Sequence, residues 1–194
     1  MDYASPAAQF AFDLNKSPLF ILDKNNYINI MGVKQLNTLV NVSLLDIFMS
    51  ANHVIEPHYH QDSTELVYCI SGSATVTMLN PYTKQLQSYT IAPGQVSNVP
   101  QGWWHYIVAH ADGTHLLAIF NAPMPQVILG SDLLKFTPAQ ILAQTYCIDE
   151  QTWKAAVAPV QSPTLIGPPT NCQQGKASYP YQYPFQYYWG MQQG

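Results

Sequence analysis

The chain has 194 residues, 47 % of them hydrophobic and only 9 % charged, with a net charge of −4 at pH 7. That length suits one domain with extensions and a sizeable core. All seven basic residues are lysines, in a chain with far fewer charges than the usual quarter or so, so there is no basic patch for nucleic acid. No apolar run reaches the ~18 residues of a membrane span.

Residues 1–18 read as a leader in which AAQFAFDLN predicts a short helix. Asp2 stands where a Sec-type signal would carry basic residues, so synthesis in the cytoplasm is the expectation. Two apolar runs within 19–33 flank Lys24-Asn25-Asn26 and predict a hairpin. TLVNVSLLDIFMS (38–50) predicts a long strand, broken at Ala51-Asn52 before the stretch HYHQDSTELVYCISG (58–72). Strands follow at 73–79, 85–91, 103–109 and 115–122, each ended by Pro, Gly or Asn, which describes an antiparallel barrel or jelly roll over 19–130. Residues 131–160 carry helical spacing, with Thr137 expected as a cap before Pro138 and Asp149 as the cap of a second helix. From 161 to 194 the chain is low in complexity, with no acidic residue and one lysine. Disorder is the ordinary reading of such a tail. Stacking or cross-linking through Tyr179, Tyr181, Tyr183, Tyr187, Tyr188 and Trp189, which would build the protein into a layer, is the functional one. Cys69, Cys147 and Cys172 are odd in number and widely spaced, which suggests neither a zinc knuckle nor a disulfide framework.

The chemistry concentrates in two places. His58 and His60, at i and i+2 of a strand, project from one face about 7 Å apart, and Glu65 opens the next β-rich run. His105, after the turns at Pro93-Gly94 and Pro100–Gly102, lies on a strand that swings back beside the first. Imidazoles with a carboxylate suit a first-row divalent metal. Glu56 shares the parity of His58 and His60 and joins Glu65 as a candidate catalytic carboxylate, although Pro57 interrupts the alternation and a solvated strand start is the plainer reading. Val67 and Cys69 share the inward phase of Glu65 and give the pocket an apolar wall. His53, Tyr59, Tyr68 and Trp104 fall on the outward phase, and His110 and His115 flank a surface turn.

The patterns His-x-His-x4-Glu-x6-Gly (His58 to Gly72) and Gly-x5-Pro-x-Gly-x2-His (Gly94 to His105) resemble the two signature motifs of the cupin superfamily. Asn52 stands where the first motif usually opens with glycine, and Ala109 where the second usually ends with asparagine. ELVYCISGSATVTM, VPQGWWHYIVA and LLKFTPAQILAQTYCID are similar to stretches of oxalate decarboxylases and germin-type proteins. The resemblance implies an all-β cupin barrel with a helical appendix and manganese (or iron, nickel or zinc) on His58, His60, Glu65 and His105. It further implies a small-molecule ligand and subunits that form a homo-oligomer. It also implies an arginine clamp and a lid glutamate, but Ile55 occupies the first position and the run 121–131 has no acid. Two functions follow as expectations. One is a metal enzyme acting on a small organic acid; the other is a structural protein of a spore-coat-like layer that keeps the barrel as scaffold.

Overall fold

The computed structural model describes residues 2–172. Twelve strands form two antiparallel sheets that face each other across the core. The first contains β1 (Pro18–Ile21), β2 (Tyr27–Met31), β3 (Ser43–Met49), β5 (Glu65–Ser71), β8 (Val96–Val99) and β10 (Thr114–Phe120), in the order β1-β2-β3-β10-β5-β8. The second runs β11-β4-β9-β6-β7, built from β4 (Val54–Tyr59), β6 (Ala74–Asn80), β7 (Gln85–Ile91), β9 (His105–Ala109) and β11 (Ile128–Leu129), and β12 (Ile166–Gly167) also pairs with β4. Alternation along the strands sorts the side chains. On β5, Glu65, Val67 and Cys69 are buried while Leu66, Tyr68 and Ile70 are exposed, as a period of two demands of a sheet with one dry face. Val67, Cys69, Val76, Ile107, Leu116 and Phe120 meet in the core.

The hairpin expected at 19–33 forms, and Asp23 makes its turn by accepting hydrogen bonds from the backbone N–H groups of Asn25 (2.8 Å) and Asn26 (3.0 Å). Asn52 has φ 64°, the left-handed conformation that a short polar side chain tolerates. Three local expectations are corrected. Residues 7–13 are not helical. Asn37 instead holds this stretch through Gln9 N and Ala7 O, each at 2.9 Å, and only Leu14–Lys16 makes a 3-10 turn. The strand expected from 38 starts at Ser43, after Asn41 turns the chain with φ 53°. Thr137 ends α1 (Gly130–Phe136) rather than capping the next helix, and Pro138, itself extended, precedes α2 (Ala139–Tyr146). A residue before proline avoids the helical region, which separates the two helices here. Asp149 does cap α3 (Glu150–Val157), accepting from Thr152 N at 2.7 Å. No helix among the described residues is long and apolar enough to cross a membrane. The aromatic tail positions from Tyr179 to Trp189 lie outside the described residues.

Gly72 closes the β5–β6 turn with φ +73°, and a Cβ there would sit 2.5 Å from Thr114 Oγ1 and 2.7 Å from Thr114 Cα. Gly72→Ala therefore combines left-handed strain with a clash against backbone, and is expected to cost about 2–4 kcal/mol. A denaturant midpoint measured against wild type checks this.

Candidate metal centre

Strand register assembles the cluster. Where β4 pairs with β9, His58 lies directly opposite His105. Glu65 opens β5 in the facing sheet, between Val99 and Phe120. The short link from His60 to Thr64 carries the chain from one sheet to the other, and Gly102 N donates to His60 O at 2.8 Å, tying the two sequence motifs together. One ligand atom from each of His58, His60, Glu65 and His105 lies within 4.8 Å of all the others, and all four side chains are buried.

Hydrogen bonds fix the ring orientations. His58 Nδ1 lies 2.6 Å from the carbonyl of Glu56, His60 Nδ1 2.8 Å from that of Gln126, and His105 Nδ1 2.9 Å from that of Trp103. A carbonyl only accepts, so each Nδ1 carries a proton, and each Nε2 is left to bind a second proton or a metal. His60 Nε2 is buried and has no hydrogen-bond partner among the described residues. Glu65 Oε2 lies 2.8 Å from His105 Nε2 and 3.4 Å from His60 Nε2. These are acceptor atoms facing acceptor atoms unless a proton or a cation sits with them. The donor set, its inward lone pairs and the unpartnered His60 nitrogen fit a divalent transition metal.

The charges follow from this packing. Burial and the neighbouring His105 push His58 down to about 3, so it is neutral at ordinary pH. Burial also works against charge on His60, but the Glu65 carboxylate outweighs it and the net shift is upward. Burial opposes ionisation of Glu65, yet His105 and His60 hold its carboxyl far below the usual carboxylate range.

The cluster forms one wall of a cavity of about 180 Å³. The remaining lining is apolar, including Ile47, Ile55, Ile107, Met124 and Leu165. Ile55, at the position where the resemblance implies an arginine, is part of that wall. Met124, Pro125 and Val127 come from the run expected to form a lid.

Glu56 is not solvated and does not join the cluster. It is 7 % exposed, and its carboxylate accepts from Ser131 N (2.8 Å), Ser131 Oγ (3.1 Å), Thr164 N (3.0 Å) and Leu165 N (2.7 Å). The β4–β9 register shifts between Ile55 and His58, so these two residues, an odd number apart, both face inward and Glu56 turns away. Asp132 accepts from Leu129 N and Ser162 Oγ, a local cap outside the cavity. His115, expected at the surface, is half-buried, paired with Asp46 at 2.5 Å and stacked on Phe48. Gln126 was not legible as a site residue, because it acts through its carbonyl and leaves no side-chain signal.

A two-sheet β-barrel with a buried three-histidine, one-glutamate cluster defines the class of protein. Residues 14–154 match the Cupin family model, and the chain belongs to that family. Germin-like protein subfamily 2 member 1 of Arabidopsis thaliana is 33 % identical over 123 residues, covering 61 % of this chain and 55 % of that protein. The rhicadhesin receptor of Pisum sativum is 30 % identical over 101 residues, 52 % of this chain and 46 % of the receptor. Oxalate decarboxylase from Bacillus subtilis superposes with a TM-score of 0.69 at 19 % identity, over 83 % of this chain and 43 % of the enzyme. A second structure of that enzyme, concerned with its Mn(II) centres, gives 0.70 at 20 % identity, over 83 % of this chain and 44 % of the enzyme. The coconut allergen cocosin gives 0.71 at 18 %, over 81 % of this chain and 43 % of its own. Identities this low speak to fold alone. The chain spans about half the length of its germin-like relative and less than half of the two solved proteins.

Proposed function

We propose that this chain is a metal-dependent cupin acting on a small organic acid or a related oxygen-bearing molecule. His58, His60, Glu65 and His105 would hold the metal, manganese first, with iron, nickel or zinc as alternatives. The observation that carries the reading is the set of three Nδ1 atoms held at 2.6–2.9 Å by backbone carbonyls, which leaves the Nε2 side of each ring to the cluster, with His105 Nε2 and His60 Nε2 at 2.8 and 3.4 Å from the Glu65 carboxylate. A donor set of three nitrogens and one oxygen, without sulfur, suits these metals, and the structural neighbour's Mn(II) centres favour manganese among them. When bound, such an ion acts as a Lewis acid on a ligand oxygen. The protein's own part is to orient the rings through the carbonyls of Glu56, Gln126 and Trp103 and to keep water out with apolar walls. Metal analysis of protein purified without chelator tests the reading. About one manganese or iron per chain is expected, lost in His58→Ala; a metal-free wild type would reject it.

Self-association is also proposed. Leu66, Tyr68, Ile70 and Val96 are exposed on the outer face of the first sheet, and the β5–β8 register sets Tyr68 beside Val96. A contiguous apolar strip of this kind marks an interaction surface. Sedimentation is expected to show a species larger than the 21.7 kDa chain, reduced toward monomer in Tyr68→Lys.

A further inference from the structure

The cavity beside the cluster restricts what can bind there, and its chemistry does not suit a small dianion. Of the described residues that line it, only His58, His60 and Glu65 are polar, and all three belong to the cluster. No lysine among the described residues lines it, and the chain has no arginine. A second carboxylate that reached past the metal would therefore be buried against Ile28, Leu45 and Ile47 with no side-chain cation among the described residues to meet it, at a large desolvation cost. The walls instead reward hydrocarbon, and the space has a definite size. An apolar cavity of roughly 150 Å³ accommodates a benzene ring, against about 180 Å³ here. The opening is apolar as well: Leu19 and Val127, both lining residues, are 46 % and 36 % exposed and mark where the cavity meets solvent.

We propose that the site takes a compact, ring-sized hydrocarbon carrying one neutral or singly charged oxygen head, and selects against small dianions such as oxalate. The head would point to the His58–His60–Glu65–His105 end, and the body would lie against Ile47, Ile55, Ile107 and Met124. The selection comes from what the wall lacks as much as from what it offers, since an unpaired buried charge is what separates the two ligand types. This inference rests on the metal-centre reading above.

The test is calorimetric titration of the manganese-loaded full chain with benzoate, catechol and oxalate, with metal content measured on the same samples. Benzoate or catechol is expected to bind at least about tenfold more tightly than oxalate, which corresponds to about 1.4 kcal/mol. Val127→Lys places a cation at the exposed opening without touching the core. It is expected to narrow that ratio at least about threefold through ligand charge, with metal content unchanged. Oxalate binding as tightly as the ring compounds, or a ratio unmoved by Val127→Lys, overturns the inference while leaving the metal centre standing. A wild-type chain that retains no added manganese overturns the metal-centre reading itself, and this inference with it.

Discussion

Glu65→Gln is expected to abolish stoichiometric metal retention while leaving the barrel folded. The substitution keeps the shape of the side chain and removes its charge. It takes away the one anionic donor among the four, and the neutral amide must sit against the Nε2 atoms of His105 and His60, at 2.8 and 3.4 Å from Glu65 Oε2. Changing a group that merely orients a ligand costs about 10–100-fold in metal affinity, so losing the carboxylate itself is expected to cost more than about 100-fold. The pH behaviour supplies a second readout. In metal-free protein the depressed Glu65 carboxyl contributes stability above its unfolded value near 4.3, lost as pH falls through its folded value. The raised His60 contributes below its unfolded value near 6.5, and that contribution is lost as pH rises through its folded value. A metal must displace the His60 proton, so affinity should rise with pH through the neutral range, with measurable proton release on loading. His58, already neutral, does not take part in that competition. Metal content after dialysis at pH 5 and pH 8, with calorimetry in buffers of different ionisation enthalpy, checks both statements. Stoichiometric metal in Glu65→Gln would remove the carboxylate from the centre.

Much of this architecture was legible because it depends on local pattern. The alternation along 65–71, the Asp23 turn, the left-handed Asn52 and the spacing of His58, His60, Glu65 and His105 are each set by neighbouring residues. The site followed because strand parity and two turns suffice to bring His105 opposite His58. What escaped depends on partners distant in the chain. Parity points Glu56 inward and the interruption at Pro57 points it to solvent, but a register shift turns it away from the cluster into a buried site whose hydrogen-bond donors lie 75 to 109 residues away. The helix expected at 7–15 was lost to side-chain bonds from Asn37, which propensity does not register. The contribution of Leu165 to the cavity wall depends on β12 returning to β4, and nothing in a Pro-rich stretch announces that pairing.

Glu56→Ala is expected to be among the most destabilising single substitutions in the barrel, and to act on the fold rather than on the chemistry. The Glu56 carboxylate is the shared acceptor for the start of α1 and for the segment leading into β12, through Ser131, Thr164 and Leu165. Removing it strands four donors, three of them backbone N–H groups, each of which costs about 1–3 kcal/mol when buried without a partner. These costs do not add fully, because the segment 162–167 can loosen and admit water. A net loss of about 3–5 kcal/mol is expected, a large share of the stability of an ordinary domain. In a chain of this length that lowers the melting midpoint by roughly 10 °C. Glu56→Gln should fall between the two. Its amide oxygen can still serve Thr164 N, Leu165 N and Ser131 Oγ, but its NH2 group must face Ser131 N–H, donor against donor. The bond from His58 Nδ1 goes to the backbone carbonyl of Glu56 rather than to its side chain, so metal content in Glu56→Gln should stay near that of wild type. Melting midpoints in the order wild type, Gln, Ala, with metal retained in Gln, support a structural latch. A wild-type midpoint in Glu56→Gln with activity on a ligand lost would instead return Glu56 to the reaction as a catalytic carboxylate.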